Sequence, residues 1–166
     1  MSNNDAKEYL TETEINIFLK SIDKVFKRTS LRNYLIVLLL YRHGFRVSEL
    51  CSLTWSDIDL KGNRLNVKRL KGSNSGYHPM QGDTIKMLKR YKKTKHGSFD
   101  YVFCTSQGYP IDRHTVSSML HRVCRYLDWK LIYPHIFRHS CGYHLANQGL
   151  DTRLIQDYLG HSDIQS

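Results

Sequence analysis

At 166 residues, 40% of them hydrophobic, the chain holds one domain's worth of core and no more. Lys and Arg number 25 against 15 Asp and Glu, for a formal net charge of +10. The four cysteines, Cys51, Cys104, Cys124 and Cys141, include no Cys-x-x-Cys pair, which argues against a zinc site or a disulfide framework and for a reducing compartment.

The charge is uneven. Residues 1–30 hold five acids and five bases, so the remaining chain, with twenty bases and ten acids, carries the whole excess. A basic body suits a nucleic-acid partner, because neutralised phosphates release counterions, although charge alone fits a merely soluble basic protein nearly as well. The first thirty residues show no secretory signal pattern, and the longest apolar run, Tyr34 to Tyr41, is too short to span a bilayer. A cytoplasmic protein is expected, with no membrane partner.

Residues 1–9 are polar and read as a flexible lead-in. Thr11 with Glu14 has the form of a capping box, and Ile15, Phe18, Leu19, Ile22 and Phe26 recur at helical spacing, predicting a helix to about Lys27. Ser30 can cap a second helix through Leu35–Leu40 that stops at Gly44. A short helix from Val47 to about Leu53 follows, with Arg46 at its start. The period then changes. Trp55, Ile58 and Leu60, a Lys61-Gly62-Asn63 turn, and alternating Leu65 and Val67 predict a hairpin. A looser turn, Lys71 to Gly76, leads to a third strand around Tyr77 to Met80.

A helix resumes at Asp83 with Ile85, Leu88 and Tyr91 inward, and its lysines read as a solvated face. Tyr101 to Phe103 is a short strand or an extended link. Asp112 caps a helix to about Leu127; Pro134 suits the first turn of the next and Gly149 its end; Asp151 caps the last, which Gly160 closes. The expected fold is mainly α with a small antiparallel β-sheet. Ile15, Leu19, Leu35, Leu38, Leu39, Leu50, Leu120, Ile136, Leu145, Ile155 and Leu159 should be largely buried.

Four segments carry the chemistry. His135 and Arg138 stand three residues apart in the first turn of a helix, where free amides and the dipole already favour phosphate. A guanidinium there can take two phosphate oxygens at once. Arg46 lies between apolar segments, with Glu49 three residues on to orient it; an exposed pair of that kind contributes only about 0.3–0.5 kcal/mol, too little to justify the setting. His161 follows a helix-closing glycine, and Lys71 sits in a Gly/Ser-rich turn. Singly, each has a bland reading: an ion pair, a helix-end cap, a loop lysine, a chance His-x-x-Arg.

As a set, Arg46-x-x-Glu49, Lys71-Gly72, His135-x-x-Arg138-His139 and Leu159-Gly160-His161 resemble the catalytic domain of tyrosine recombinases, the phage integrase family. The stretches 42–60 and 135–161 look most like the short invertases that flip the promoter segment of fimbrial operons. The resemblance covers residues 10–166. It implies a site-specific recombinase, regulating by DNA inversion or integration, that acts on double-stranded DNA at inverted repeats, as a tetramer in the intact family member, in the bacterial cytoplasm and nucleoid. It also implies that Arg46 and Arg138 bind the scissile phosphate, that His135 and His161 hydrogen-bond it and assist proton movement, and that Lys71 protonates the departing 5′ oxygen. In the family a tyrosine attacks phosphorus to give a 3′-phosphotyrosyl link, with no cofactor, metal or ATP.

One departure stands out. The family tyrosine lies about nine residues after the last histidine, and only five residues follow His161. The expectation is therefore a domain truncated before its nucleophile helix, with no nucleophile in this chain and no strand cleavage by it alone. Tyr158, the nearest tyrosine, precedes His161 inside a helix and reads as a packed residue. The competing functions are a non-catalytic DNA-binding regulator, or competitor of an intact recombinase, and an acid/base phosphodiesterase built on His135 and His161.

Overall fold

A computed structural model describes residues 8–70, 74–95 and 98–160. Helix α1, Glu12–Val25, starts where the sequence says it must: Thr11 accepts from the Glu14 amide at 3.2 Å while the Glu14 carboxylate accepts from the Thr11 amide at 3.1 Å. It stops two residues short of Lys27. Tyr9, expected in a loose lead-in, instead stacks on Tyr143 with ring centroids 3.8 Å apart, and the Leu10 amide donates to Ser140 Oγ at 2.8 Å. An aromatic stack and a buried hydrogen bond thus tie down Tyr9 and Leu10 just before α1.

Helix α2, Ser30–His43, is the centre of the molecule. Leu35 through Leu40 are all 2% exposed or less, so the run read as a buried helix is buried on every face. Thr29, not Ser30, is its N-cap; Ser30 Oγ donates to Asp23 instead. Around α2 pack α1, the short α3, Val47–Cys51, and the helices α4, Gly82–Lys93, and α6, His135–Asn147. Arg42 on α2 clamps α4 through both Asp83 oxygens, at 2.6 and 2.9 Å, and through Thr84 Oγ1 at 2.7 Å.

The sheet is small and antiparallel, in the order β1 (Ile58–Asp59), β2 (Arg64–Val67), β3 (Gly76–Pro79), with Ile58 opposite Leu65 and Leu65 opposite His78. Alternation puts Leu65, Val67 and His78 on the inner face. Trp55–Asp57, expected within the first strand, forms one 3₁₀ turn because Asp57 accepts from the Thr54 amide at 3.0 Å and curls the backbone. Residues 101–103 make no strand: Thr54 bridges Tyr101, and Cys104 bridges Pro110, one pair each.

Helix α5, Arg113–Leu127, and the last described helix, α7, Thr152–Leu159, begin at Asp112 and Asp151 as read; each carboxylate accepts from the amide three residues on. Pro134 precedes α6 directly. Nine of the eleven core expectations hold. Leu145 and Ile155 are only half-buried, because α7 packs chiefly against α6 and nothing among the described residues covers the outer side of that pair. The lysine face of α4 is solvent-facing as expected. Among the described residues no helix is long and apolar enough to cross a membrane, and no group of three or more His, Cys, Asp or Glu is placed to hold a metal.

Candidate phosphate-binding site

The site grows from the corner between α2 and α3. Gly44 ends α2 in the left-handed region, φ +62°, and turns the chain so that Arg46 becomes the residue before α3. Glu49, in the first turn of α3, accepts from the Arg46 amide at 2.7 Å and from the Arg46 guanidinium at 3.1 Å. This is far from an exposed i,i+3 pair. The Glu49 side chain is 1% exposed, whereas that of Arg46 is 31% exposed and can meet a ligand.

Arg138 comes to the same corner from α6, ninety-four positions later in the chain. Its Nη1 donates to the Gly44 carbonyl at 2.5 Å, while Nη2 is buried with no hydrogen-bond partner among the described residues. A buried, unfilled donor on a guanidinium is costly unless an acceptor arrives. Burial first, then the neighbouring charges of Arg46 and Arg69, lower the Arg138 pKa to about 10. The guanidinium remains charged at neutral pH, and the like charges of Arg46 and Arg69 act against it. An anion between Arg46 and Arg138 relieves that repulsion. A cleft of about 410 Å³ opens beside Arg138, walled by His139, Gly142, Tyr143 and Leu159.

Of the residues singled out from sequence, the structure brings Arg46, Glu49 and Arg138 together around Gly44. His135 lies one turn before Arg138 on the exposed side of α6, between the rings of Tyr133 (6.2 Å, parallel) and His139 (5.4 Å, edge-on). Burial and then the His139 charge lower its pKa, favouring the neutral imidazole. Lys71 and His161 lie outside the described residues. Among the described residues of those two segments, the Asn74 amide donates to the Gly160 carbonyl at 3.0 Å.

Two features escaped the reading of the sequence. Arg69, two residues past β2, is buried in an ion pair with Glu49 at 3.0 Å, both side chains 1% exposed. No spacing in the sequence marks it, because its acceptors are contributed by His43, Gly44, Glu49 and Tyr158. The second is a buried pair of imidazoles: His43 Nδ1 and His78 Nδ1 are 3.1 Å apart, and His78 stacks on the Tyr158 ring at 3.8 Å. Tyr158 packs as expected, donating its hydroxyl to the Arg42 carbonyl at 2.6 Å; burial raises its pKa, so it makes a poor attacking group.

The chain matches the phage integrase family over residues 8–166. It is 39% identical to the type 1 fimbriae regulatory protein FimB of Escherichia coli K12, over 99% of this chain and 84% of that one. The crystal structure of XerA recombinase superposes with a TM-score of 0.83 at 28% identity, covering 99% of this chain and 60% of that one. The fold is shared, at a TM-score of 0.82 and 22% identity, with XerH site-specific recombinase bound to its difH substrate, of which this chain spans half.

Proposed function

The chain belongs to the phage integrase family, and on that premise we propose that it is the catalytic domain of a site-specific DNA recombinase of the fimbrial-switch type. The observation that carries the reading is the pair of guanidiniums at one glycine corner: Arg46 half-open and tethered by Glu49, Arg138 buried with one nitrogen unfilled. Two fixed cations facing one anion are what a phosphoryl-transfer transition state needs, since charge builds on its equatorial oxygens. Arg46 and Arg138 hold the non-bridging oxygens. His135 and His161 hydrogen-bond the same phosphate, and Lys71 gives its proton to the departing 5′ oxygen.

The covalent step calls for a tyrosine supplied beyond Ser166 or by another subunit. Its oxygen attacks phosphorus, the 5′ oxygen leaves with a proton, and the phosphotyrosyl bond keeps the energy for rejoining. Double-stranded DNA carrying inverted repeats is the partner, on which a tetramer assembles in the bacterial cytoplasm and nucleoid. The excess of positive charge beyond residue 30 supports DNA as the partner.

The test is a nicked duplex carrying a candidate inverted repeat, incubated with the chain alone and with the chain extended by a relative's tyrosine-bearing tail. A protein–DNA adduct on a denaturing gel is expected with the extended protein only. An adduct with the unextended chain would show that the nucleophile is misassigned; salt-sensitive binding with no adduct from either protein would identify a DNA-binding regulator instead.

A further inference from the structure

We propose that Arg69 is a positioning residue that sets the two phosphate-facing guanidiniums, a role that rests on the phosphate-site reading above. Arg69 is not itself a phosphate ligand. Its Nη1 donates to the Gly44 carbonyl and to Glu49 Oε1, both at 3.0 Å, and its Nη2 to the His43 and Tyr158 carbonyls, both at 2.9 Å. Both terminal nitrogens are committed, the side chain is 1% exposed, and the guanidinium lies over the Phe45 ring at 5.8 Å.

What matters is which atoms it shares. The Glu49 Oε1 that takes Arg69 also takes the Arg46 amide, and the Gly44 carbonyl that takes Arg69 also takes Arg138. Each ligand arginine is therefore held by an acceptor whose other position Arg69 fills. The remaining Glu49 oxygen accepts from the Arg46 guanidinium and, at 3.0 Å, from the Leu70 amide. Without Arg69 the buried Glu49 carboxylate loses the one fully buried cation it has among the described residues, and a buried carboxylate draws in the nearest replacement. Arg46, already on the other Glu49 oxygen, would close fully onto the carboxylate, and Arg138 would be drawn toward it. Arg69 thus neutralises Glu49 and leaves Arg138, with its unfilled Nη2, beside the cleft and Arg46 part-exposed at the same corner.

The same side chain links segments distant in the chain. The carbonyls it caps end α2 and lie in the last turn of α7, where helix dipoles favour a cation. Its own backbone stands two residues before Lys71, and its amide donates to Ser75 Oγ at 2.9 Å. A Cβ at Gly160 would meet Arg69 Cγ at 2.6 Å, so the residue before His161 packs directly on it. An ammonium in place of the fork presents its donors from one point and cannot span four such acceptors.

The test measures orthovanadate affinity, by ⁵¹V line broadening, for the wild type and for Arg46→Ala, Arg138→Ala, Arg69→Lys and Val123→Ala. Val123 is fully buried on α5 and contributes no side-chain hydrogen bond to the network, so its truncation lowers stability without removing a polar contact there. Arg69→Lys is expected to lose affinity roughly ten-fold, as the two ligand-arginine variants do, while Val123→Ala stays within about two-fold of wild type. A residue of merely structural importance would lower the melting temperature and leave affinity per folded molecule intact. If Arg46→Ala and Arg138→Ala lose affinity but Arg69→Lys does not, positioning by Arg69 is overturned and the phosphate site stands. If the wild type binds no vanadate, or the two ligand variants bind it unchanged, both ideas fall. Should Arg69→Lys fold too poorly to assay, Arg69→Gln with Glu49→Gln keeps the pair neutral and hydrogen-bonded. The same loss is expected there, and full affinity overturns the proposal.

Discussion

A side chain at position 44 would have nowhere to go. The backbone is left-handed at φ +62°, and a Cβ would run into Leu159 of α7. Gly44 therefore allows a sharp corner, close approach of α7, and a carbonyl exposed to two guanidiniums, all with one missing methyl. Gly44→Ala is expected to cost about 2 kcal/mol or more, combining left-handed strain with overpacking, and to weaken vanadate binding as the carbonyl shifts. Urea unfolding measures the first effect; a change below about 0.5 kcal/mol would mean that the corner is softer than its geometry implies. Arg46 and Glu49 were legible because they stand three apart on one helical turn. Arg69 was not, because nothing local distinguishes a core arginine from a surface one in the link after a strand.

Among the elements, helix boundaries were the most readable feature. Thr11, Asp112 and Asp151 each sit at the expected cap because a carboxylate or hydroxyl there satisfies amides that the helix leaves bare. Strands were harder, since Trp55–Asp57 has strand-like composition and Asp57 overrides it with a local bond. Helix α7 is the element most dependent on its cap, being eight residues long and packed mainly by its C-terminal end. Asp151→Ala is expected to speed amide exchange through 152–159 and to cost about 1 kcal/mol, with α5 unaffected. Equal exchange in α7 of the two proteins would show that tertiary contacts, not the cap, hold it.

Across the whole molecule, His43 and His78 couple three elements, α2, β3 and α7, through one buried polar cluster. Burial, foremost, pushes the His43 pKa down to about 3 and that of His78 down to about 4. A base with a depressed folded pKa binds fewer protons folded than unfolded, so stability rises with pH over that range. Full stability is expected above the unfolded histidine value of about 6.5, with a progressive loss as pH falls from there toward 3 to 4, on the order of a few kcal/mol for the pair. Melting curves from pH 7.5 to 4 on the wild type and on His43→Asn test this. A parallel fall in both would place the linkage in other groups; a carboxylate such as Asp83, whose pKa Arg42 holds low, loses its contribution only at more acid pH than this range covers.

The residues themselves determined the helices, their caps, the buried run of α2 and the paired chemistry of Arg46 with Glu49, because each depends on neighbours within about one helical turn. Tertiary structure alone decided that Arg138 shares a carbonyl with Arg69, that Glu49 is buried between two arginines, and that His43 meets His78. Those contacts join positions 94, 20 and 35 residues apart, and at such separations only packing of the whole chain, not local pattern, chooses the partner.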